Sequence, residues 1–189
     1  MMKKYLELAQ GDDGFTLVEL MVFIGIMVIF LIGVGGMITS GVKSSTASFN
    51  LVKISEGANE AMSTMVRQIR VATSLDATST ANMIRFVGDV DGDDTATTVL
   101  FDVAGGYLRR GESADAMVDW VPNVDTLTFT YYWYNPATKQ PEALAAGDWA
   151  AHYTGVYRVD IELALSMDAV GTNVARTYST SVTLRNGLR

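Results

Sequence analysis

From Leu20 to Val42 the chain carries no ionisable residue, and its side chains are largely Leu, Ile, Val, Met, Phe and Gly. As a helix at 1.5 Å per residue, this run is about 35 Å long, enough to cross a hydrocarbon core of about 30 Å. Few folds accept such a segment: it either spans a membrane or is covered by other protein on every side. One carboxylate, Glu19, sits at its start. An unpaired charge there costs several kcal/mol, so an acid at the edge of a membrane span calls for a partner. The plain alternative is that Glu19 lies at headgroup depth and snorkels to water.

The run is not an ordinary cleaved signal peptide, whose apolar core is about 7–15 residues and is followed by a small-residue cleavage site. No such site follows before the chain turns polar at Lys43, Ser44, Ser45 and Thr46. The small-residue break lies before the run, at Gly14. The residue reading is therefore a single anchor behind a short hydrophilic leader.

Gly14-Phe15-Thr16-Leu17-Val18-Glu19, followed by an unbroken apolar helix, resembles the class III signal of type IV pilins and type II secretion pseudopilins. The motif covers about six residues, and the helix extends the likeness to roughly the first quarter of the chain. The resemblance implies cleavage after Gly14 by a prepilin peptidase and N-methylation of the new terminus, Phe15. It also implies that Glu19 neutralises the terminal amine of a neighbouring subunit during filament assembly. The physics is consistent: opposite charges attract strongly in a low-dielectric medium, and each alone is costly there.

Two features depart from the family pattern. The leader sets Lys3 and Lys4 against Glu7, Asp12 and Asp13, so it is not clearly basic, which weakens a positive-inside argument for orientation. The helix-disrupting Pro common in the family is missing, and Gly33, Gly35 and Gly36 occupy that region. Glycine costs roughly 1 kcal/mol in a helix relative to Ala, so these positions are candidates for helix flexibility. Close helix–helix packing through small residues is the alternative.

Beyond the span, Leu51, Ile54, Ala58, Ala61, Met62, Met65 and Ile69 recur at three- and four-residue steps, which predicts an amphipathic helix ending near Val71–Ser74. From Met83 the pattern changes to period two. Met83–Val87 and Thr98–Val103 flank an acidic turn, and Leu127, Phe129, Tyr131 and Trp133 alternate with polar positions. Tyr157, Val159, Ile161, Leu163 and Leu165 do the same, and Tyr178, Val182 and Leu184 mark a last strand. Such alternation argues for antiparallel strands with one buried face. Pro122, Pro136 and Pro141 are expected in connections.

The expected fold is α+β, a pilin fold with a long N-terminal membrane-spanning helix packed on an antiparallel sheet. The expected segments are leader 1–14, hydrophobic helix 15–42, amphipathic helix 43–75 and β-rich domain 76–189. The Tyr107-Leu108-Arg109-Arg110 step after an acidic hairpin, with the later alternating strands, is similar to W-type minor pilins and J-type minor pseudopilins. The resemblance implies other pilin or pseudopilin subunits, the peptidase and an inner-membrane assembly platform as partners. It places the soluble domain outside the cytoplasm, then on a periplasmic or cell-surface filament. A type II secretion pseudopilin and an anchored adhesion protein that never polymerises are the alternatives.

The remaining chemistry is sparse. A net charge of −7 makes nucleic acid a poor partner, and the absence of Cys excludes disulfides and thiol chemistry. Asp89, Asp91 and Asp93 alternate like the first ligands of a calcium loop. However, Asp94 stands where an EF-hand needs Gly and Leu100 where it needs Glu, so a looser calcium site or a solvated turn remain. His152 is the single histidine, with no Ser/Asp pattern around it, and no phosphate-binding Gly loop appears in the soluble part. The expectation is a non-enzymatic protein. In the cluster Tyr131–Tyr134, Tyr132 and Tyr134 are placed either on an exposed binding face or under a neighbouring loop.

Overall fold

A computed structural model describes residues 15–145, 148–169 and 172–185. Among these residues the fold is α+β: a 54-residue helix, α1 (Leu17–Arg70), followed by nine strands in two antiparallel sheets and a short helix, α2 (Trp149–His152). The chain divides into two compact units, Met1–Ser45 and Thr46–Arg189.

In the first unit, α1 starts where Thr16 caps it. The Thr16 hydroxyl accepts a hydrogen bond from the Glu19 backbone N–H at 3.2 Å, and its carbonyl accepts from Leu20 N–H at 3.1 Å. This satisfies one orphan donor of the first turn, and Glu19 places negative charge at the positive end of the helix dipole. The helix is long and apolar enough to cross a membrane, and its most apolar window has no buried residue. Phe23, Ile29, Phe30 and Ile32 are all more than half exposed.

In the second unit, the helix changes character. Ile54, Ala58, Ala61, Met62, Met65 and Ile69 are buried on one face, as their spacing predicts, while Leu51 is half-buried. Gln68 shares that face, and its Oε1 accepts from Arg110 Nε at 3.2 Å, so the buried amide oxygen is satisfied. The helix ends at Arg70, slightly earlier than expected, and strand β1 (Ala72–Leu75) follows at once.

The single sheet expected is two sheets. The first is a five-stranded meander of β1, β2 (Ile84–Gly88), β3 (Thr97–Ala104), β4 (Tyr107–Gly111) and β5 (Val118–Pro122). Gly105 and Gly106, both at positive φ, make the two-residue turn between β3 and β4, which only glycine-like residues enter without strain. A single residue, Asn123 at φ 64°, separates β5 from β6 (Val124–Asn135) and lets the chain pass from one sheet to the other. The second sheet adds β7 (Gln140–Ala143), β8 (Val156–Ala169) and β9 (Thr172–Thr183), in the order β7-β6-β8-β9.

Two of the three prolines lie in strands and not in connections. Pro122 ends β5 and Pro141 lies in β7, and both strands are sheet edges, where a missing N–H need not break a ladder. Pro136 falls in the turn between β6 and β7, as expected. Leu127, Phe129 and Tyr131 of β6 and Val159, Ile161, Leu163 and Leu165 of β8 are buried as predicted. Trp133 and Tyr157 are only half-buried, because a register shift between Tyr132 and Trp133 breaks the alternation and puts Val156 in the core. Phe129, Ile161, Leu163 and Leu165 join Phe86, Phe101 and the α1 face in one core.

Candidate functional site

Glu19 stands in the first turn of α1, three residues past its capping Thr16. Its own backbone N–H is held, but no described residue pairs with its carboxylate. Phe15 is 83% exposed, and the residues around Glu19 are likewise open. Among the described residues, the site is therefore an unpaired acid at the head of an open apolar helix. Gly14 and the rest of segment 1–14 lie outside the described residues.

Gly33, Gly35 and Gly36 sit inside the continuous α1, and a Cβ added at any of them would meet nothing within 4 Å. The Thr39 hydroxyl donates to the Gly35 carbonyl oxygen at 2.8 Å, a back-bond of the kind that slightly loosens and bends helices.

The acidic turn brings its residues together. One carboxylate oxygen from each of Asp89, Asp91 and Asp93 lies within 4.8 Å of the others. Two of these carboxylates already brace the loop: Asp89 accepts from Gly92 N–H at 2.7 Å and Asp94 N–H at 3.2 Å, and Asp93 accepts from Thr95 N–H at 2.8 Å. Gly92 and Asp94 take positive φ to close the turn. An all-oxygen donor set matches a hard cation such as calcium and no softer metal.

The aromatic cluster divides by face. Tyr131 is buried, with its hydroxyl donating to the Thr80 carbonyl oxygen at 2.9 Å and its ring 4.4 Å from that of Trp149. Burial pushes its phenol well above the ordinary range, so it holds its proton and serves as a brace. Tyr132 is half-covered: the Arg158 guanidinium lies 4.2 Å over its ring and is gripped by Asp160 at 2.8 and 2.7 Å. Tyr134 alone keeps a large exposed surface, 47%. His152 stacks on Trp133 at 3.9 Å, nearly parallel, and pairs with no described acid or nucleophile. These groups give no acid–base or nucleophilic arrangement.

The arginines of β4 have structural partners that sequence spacing alone does not reveal. Arg109 forms a two-pronged bond across strands to Asp102 at 2.8 and 2.6 Å, and Arg110 reaches back to α1 through Gln68. A cross-strand register is needed to foresee such a pair, and only the fold supplies it.

No protein-family model, curated protein or solved structure matches the chain. The coordinates define a class by architecture: a long, apolar N-terminal helix whose second half packs on antiparallel sheets, an arrangement of pilin-like form.

Proposed function

We propose that the chain is a non-enzymatic subunit of the type IV pilin and pseudopilin superfamily, a minor one, cleaved after Gly14 and polymerised through its N-terminal helix. One observation carries the reading. Glu19, whose carboxylate pairs with no described residue, lies four residues past Phe15, at the head of a helix whose most apolar window has no buried residue. Both groups lack what the fold of one chain cannot give, and a neighbouring subunit supplies both. Its Phe15 amine neutralises Glu19, and its own apolar helix covers Leu20 to Val42. Cleavage creates that amine, so processing and assembly are chemically coupled.

Before assembly the helix holds the subunit in the inner membrane with its β domain outside the cytoplasm. The prepilin peptidase and the membrane assembly platform are then its partners. A pilus subunit is preferred, and a type II secretion pseudopilin uses the same helix chemistry. A permanently anchored adhesion protein would leave the Glu19 carboxylate with its place at the helix start and no opposite charge to pair with. Calcium at Asp89, Asp91 and Asp93 is a subsidiary proposal, supported by their proximity. Titration with calcium should release heat and raise the unfolding temperature, and the absence of both effects would end that idea.

The assembly proposal is tested with Glu19→Ala. The variant should still be cleaved by the peptidase yet enter filaments poorly, because removing a partnered charge leaves the opposing amine unpaired in an apolar core. Incorporation at the wild-type level would sink the charge-pair mechanism.

A further inference from the structure

The two sheets have four edges, and they are built differently. The edge strands β1 and β7 are four residues long and β5 is five. Register shifts break the pairing of β1 and β5, while Pro122 ends β5 and Pro141 lies within β7. Short length, bulges and proline are the devices that stop an edge from pairing with another chain. β9 has none of them. It runs twelve residues, Thr172–Thr183, in unbroken register with β8 and contains neither Pro nor Lys.

The hydrogen-bond phase of β9 follows from one contact. Leu184 N–H donates to the Tyr157 carbonyl at 2.7 Å, just beyond the ladder. In an antiparallel pair, bonded and non-bonded positions alternate, so Val182, Thr180, Tyr178, Arg176 and Val174 direct their backbone groups at β8. Asn173, Ala175, Thr177, Ser179, Ser181 and Thr183 direct theirs outward. No described backbone or side-chain group pairs with these outward donors and acceptors.

Beside this edge lies a groove of about 480 Å³ lined by Met62, Ser63, Val66, Arg67, Arg70 and Thr180, among others. Met62 and Val66 give it apolar lining, and Arg67 and Arg70, from the last turn of α1, line it as well. Neither Arg67 nor Arg70 forms an ion pair with a described residue, in a chain of net charge −7. A strand laid along β9 would complete the outward backbone bonds. Every second side chain would then face α1, over Met62 and Val66 and then the arginines.

We propose that the β9 edge is a strand-addition site for an extended acidic segment of another protein, apolar at alternate positions and bearing carboxylates at the end that meets Arg67 and Arg70. The unpaired backbone supplies affinity, the groove reads the apolar side chains and the arginines read charge. This site uses only β9 and the last turns of α1, not the apolar run Leu20–Val42, and stands whether or not the chain polymerises.

The test uses the full chain in detergent micelles and a synthetic eight-residue peptide, acetyl-Thr-Val-Thr-Val-Thr-Glu-Thr-Glu-amide, together with its reverse sequence, since either strand direction is open to an added strand. One of the two should bind and protect the Thr177, Ser179 and Ser181 amides from hydrogen exchange. Replacing both peptide glutamates by lysine should weaken binding about tenfold or more, as should R67E/R70E in the protein. Ser179→Pro removes an outward N–H while keeping the bond ladder to β8. It should weaken binding about tenfold with the unfolding temperature nearly unchanged. Because R67E/R70E alters only exposed groups, it keeps the test decisive if the proline variant folds poorly. Binding of neither peptide, or equal binding of the lysine version, would overturn the proposal. A dimer that forms without peptide and is dissolved by Ser179→Pro would also overturn it, making a second copy the occupant.

Discussion

Residues 17–45 and 46–70 of α1 share one secondary structure, yet their side chains meet opposite surroundings. In the first segment Ile24, Ile29, Phe30 and Ile32 are all open. In the second, Ala58, Ala61, Met65 and Ile69 have no exposed surface. The cause is pattern, not composition alone. The second segment gathers its apolar residues on one stripe that a sheet can cover, whereas the first is apolar all round, and one side of a small domain cannot cover that. A helix apolar on all faces belongs in lipid or among other helices. The contrast therefore locates the uncovered apolar surface in residues 17–45, while the apolar stripe of residues 46–70 is covered.

The sharpest way to break the comparison is to place the same charge in each segment. Met65→Asp puts a carboxylate in a fully buried position and should cost more than about 4 kcal/mol, a large part of the 5–15 kcal/mol that holds a domain together. Circular dichroism should show the domain largely unfolded at room temperature. Ile29→Asp should leave the domain's melting curve unchanged and reduce membrane retention, by about 3 kcal/mol of insertion free energy. A domain destabilised by Ile29→Asp would mean that the first segment is covered by the domain after all.

Glycines give a milder version. A Cβ at Gly88 would stand 2.8 Å from the Val71 carbonyl oxygen and 3.1 Å from Ala72 Cα, both backbone atoms that cannot turn aside. Gly88→Ala should cost about 2 kcal/mol and lower the melting temperature by about 5 °C. At Gly33 the same methyl meets open space. Gly33→Ala should leave melting unchanged and slow amide exchange nearby, through the helix preference of Ala over Gly of about 1 kcal/mol. Faster exchange there would count against the glycines as soft points.

Thr16→Ala removes the hydroxyl that holds Glu19 N–H and should cost about 1 kcal/mol of local helix stability. Exchange at Leu17–Leu20 should quicken while the domain transition stays fixed. Any fall in domain stability would show that the two segments unfold together.

The smallest effect is acid sensitivity confined to the domain. Bonds from Arg158 hold the Asp160 carboxyl below its ordinary value, and bonds from the Thr78 hydroxyl and backbone do the same for Asp76. A depressed folded pKa stabilises above the unfolded value and is lost as pH falls through the folded one. The melting temperature should therefore decline below about pH 4, modestly, because both sites are about a third exposed. Asp160→Asn should flatten part of that decline.

The sequence makes the long elements legible because each repeats its period often enough to stand out. Most of the α1 core stripe and of the β6 and β8 alternations appears as read, down to Met65 and Phe129, while Leu51, Trp133 and Tyr157 at their ends are only half-buried. The short edge strands do not, since four or five residues with burial such as exposed-exposed-buried carry no clear period. The split into two sheets depends on Asn123, one residue whose positive φ no pattern marks. Arg158 over Tyr132 and Arg109 on Asp102 depend on strand register, which alternation leaves free by whole steps of two. The Thr16-x-x-Glu19 spacing is a capping signature visible in the sequence, and it gives Glu19 a place in the helix start beside its proposed charge-pairing role.

The proposed role of the first segment depends on the Gly14–Phe15 bond being cut. Intact-mass and N-terminal peptide spectrometry of the chain co-expressed with a prepilin peptidase reads that bond directly. The expected product begins at Phe15 and is heavier by one methyl group, with cleavage abolished by Gly14→Val. A chain that retains Met1 to Gly14 under these conditions would contradict the assembly reading and leave Glu19 as the head of a simple anchor.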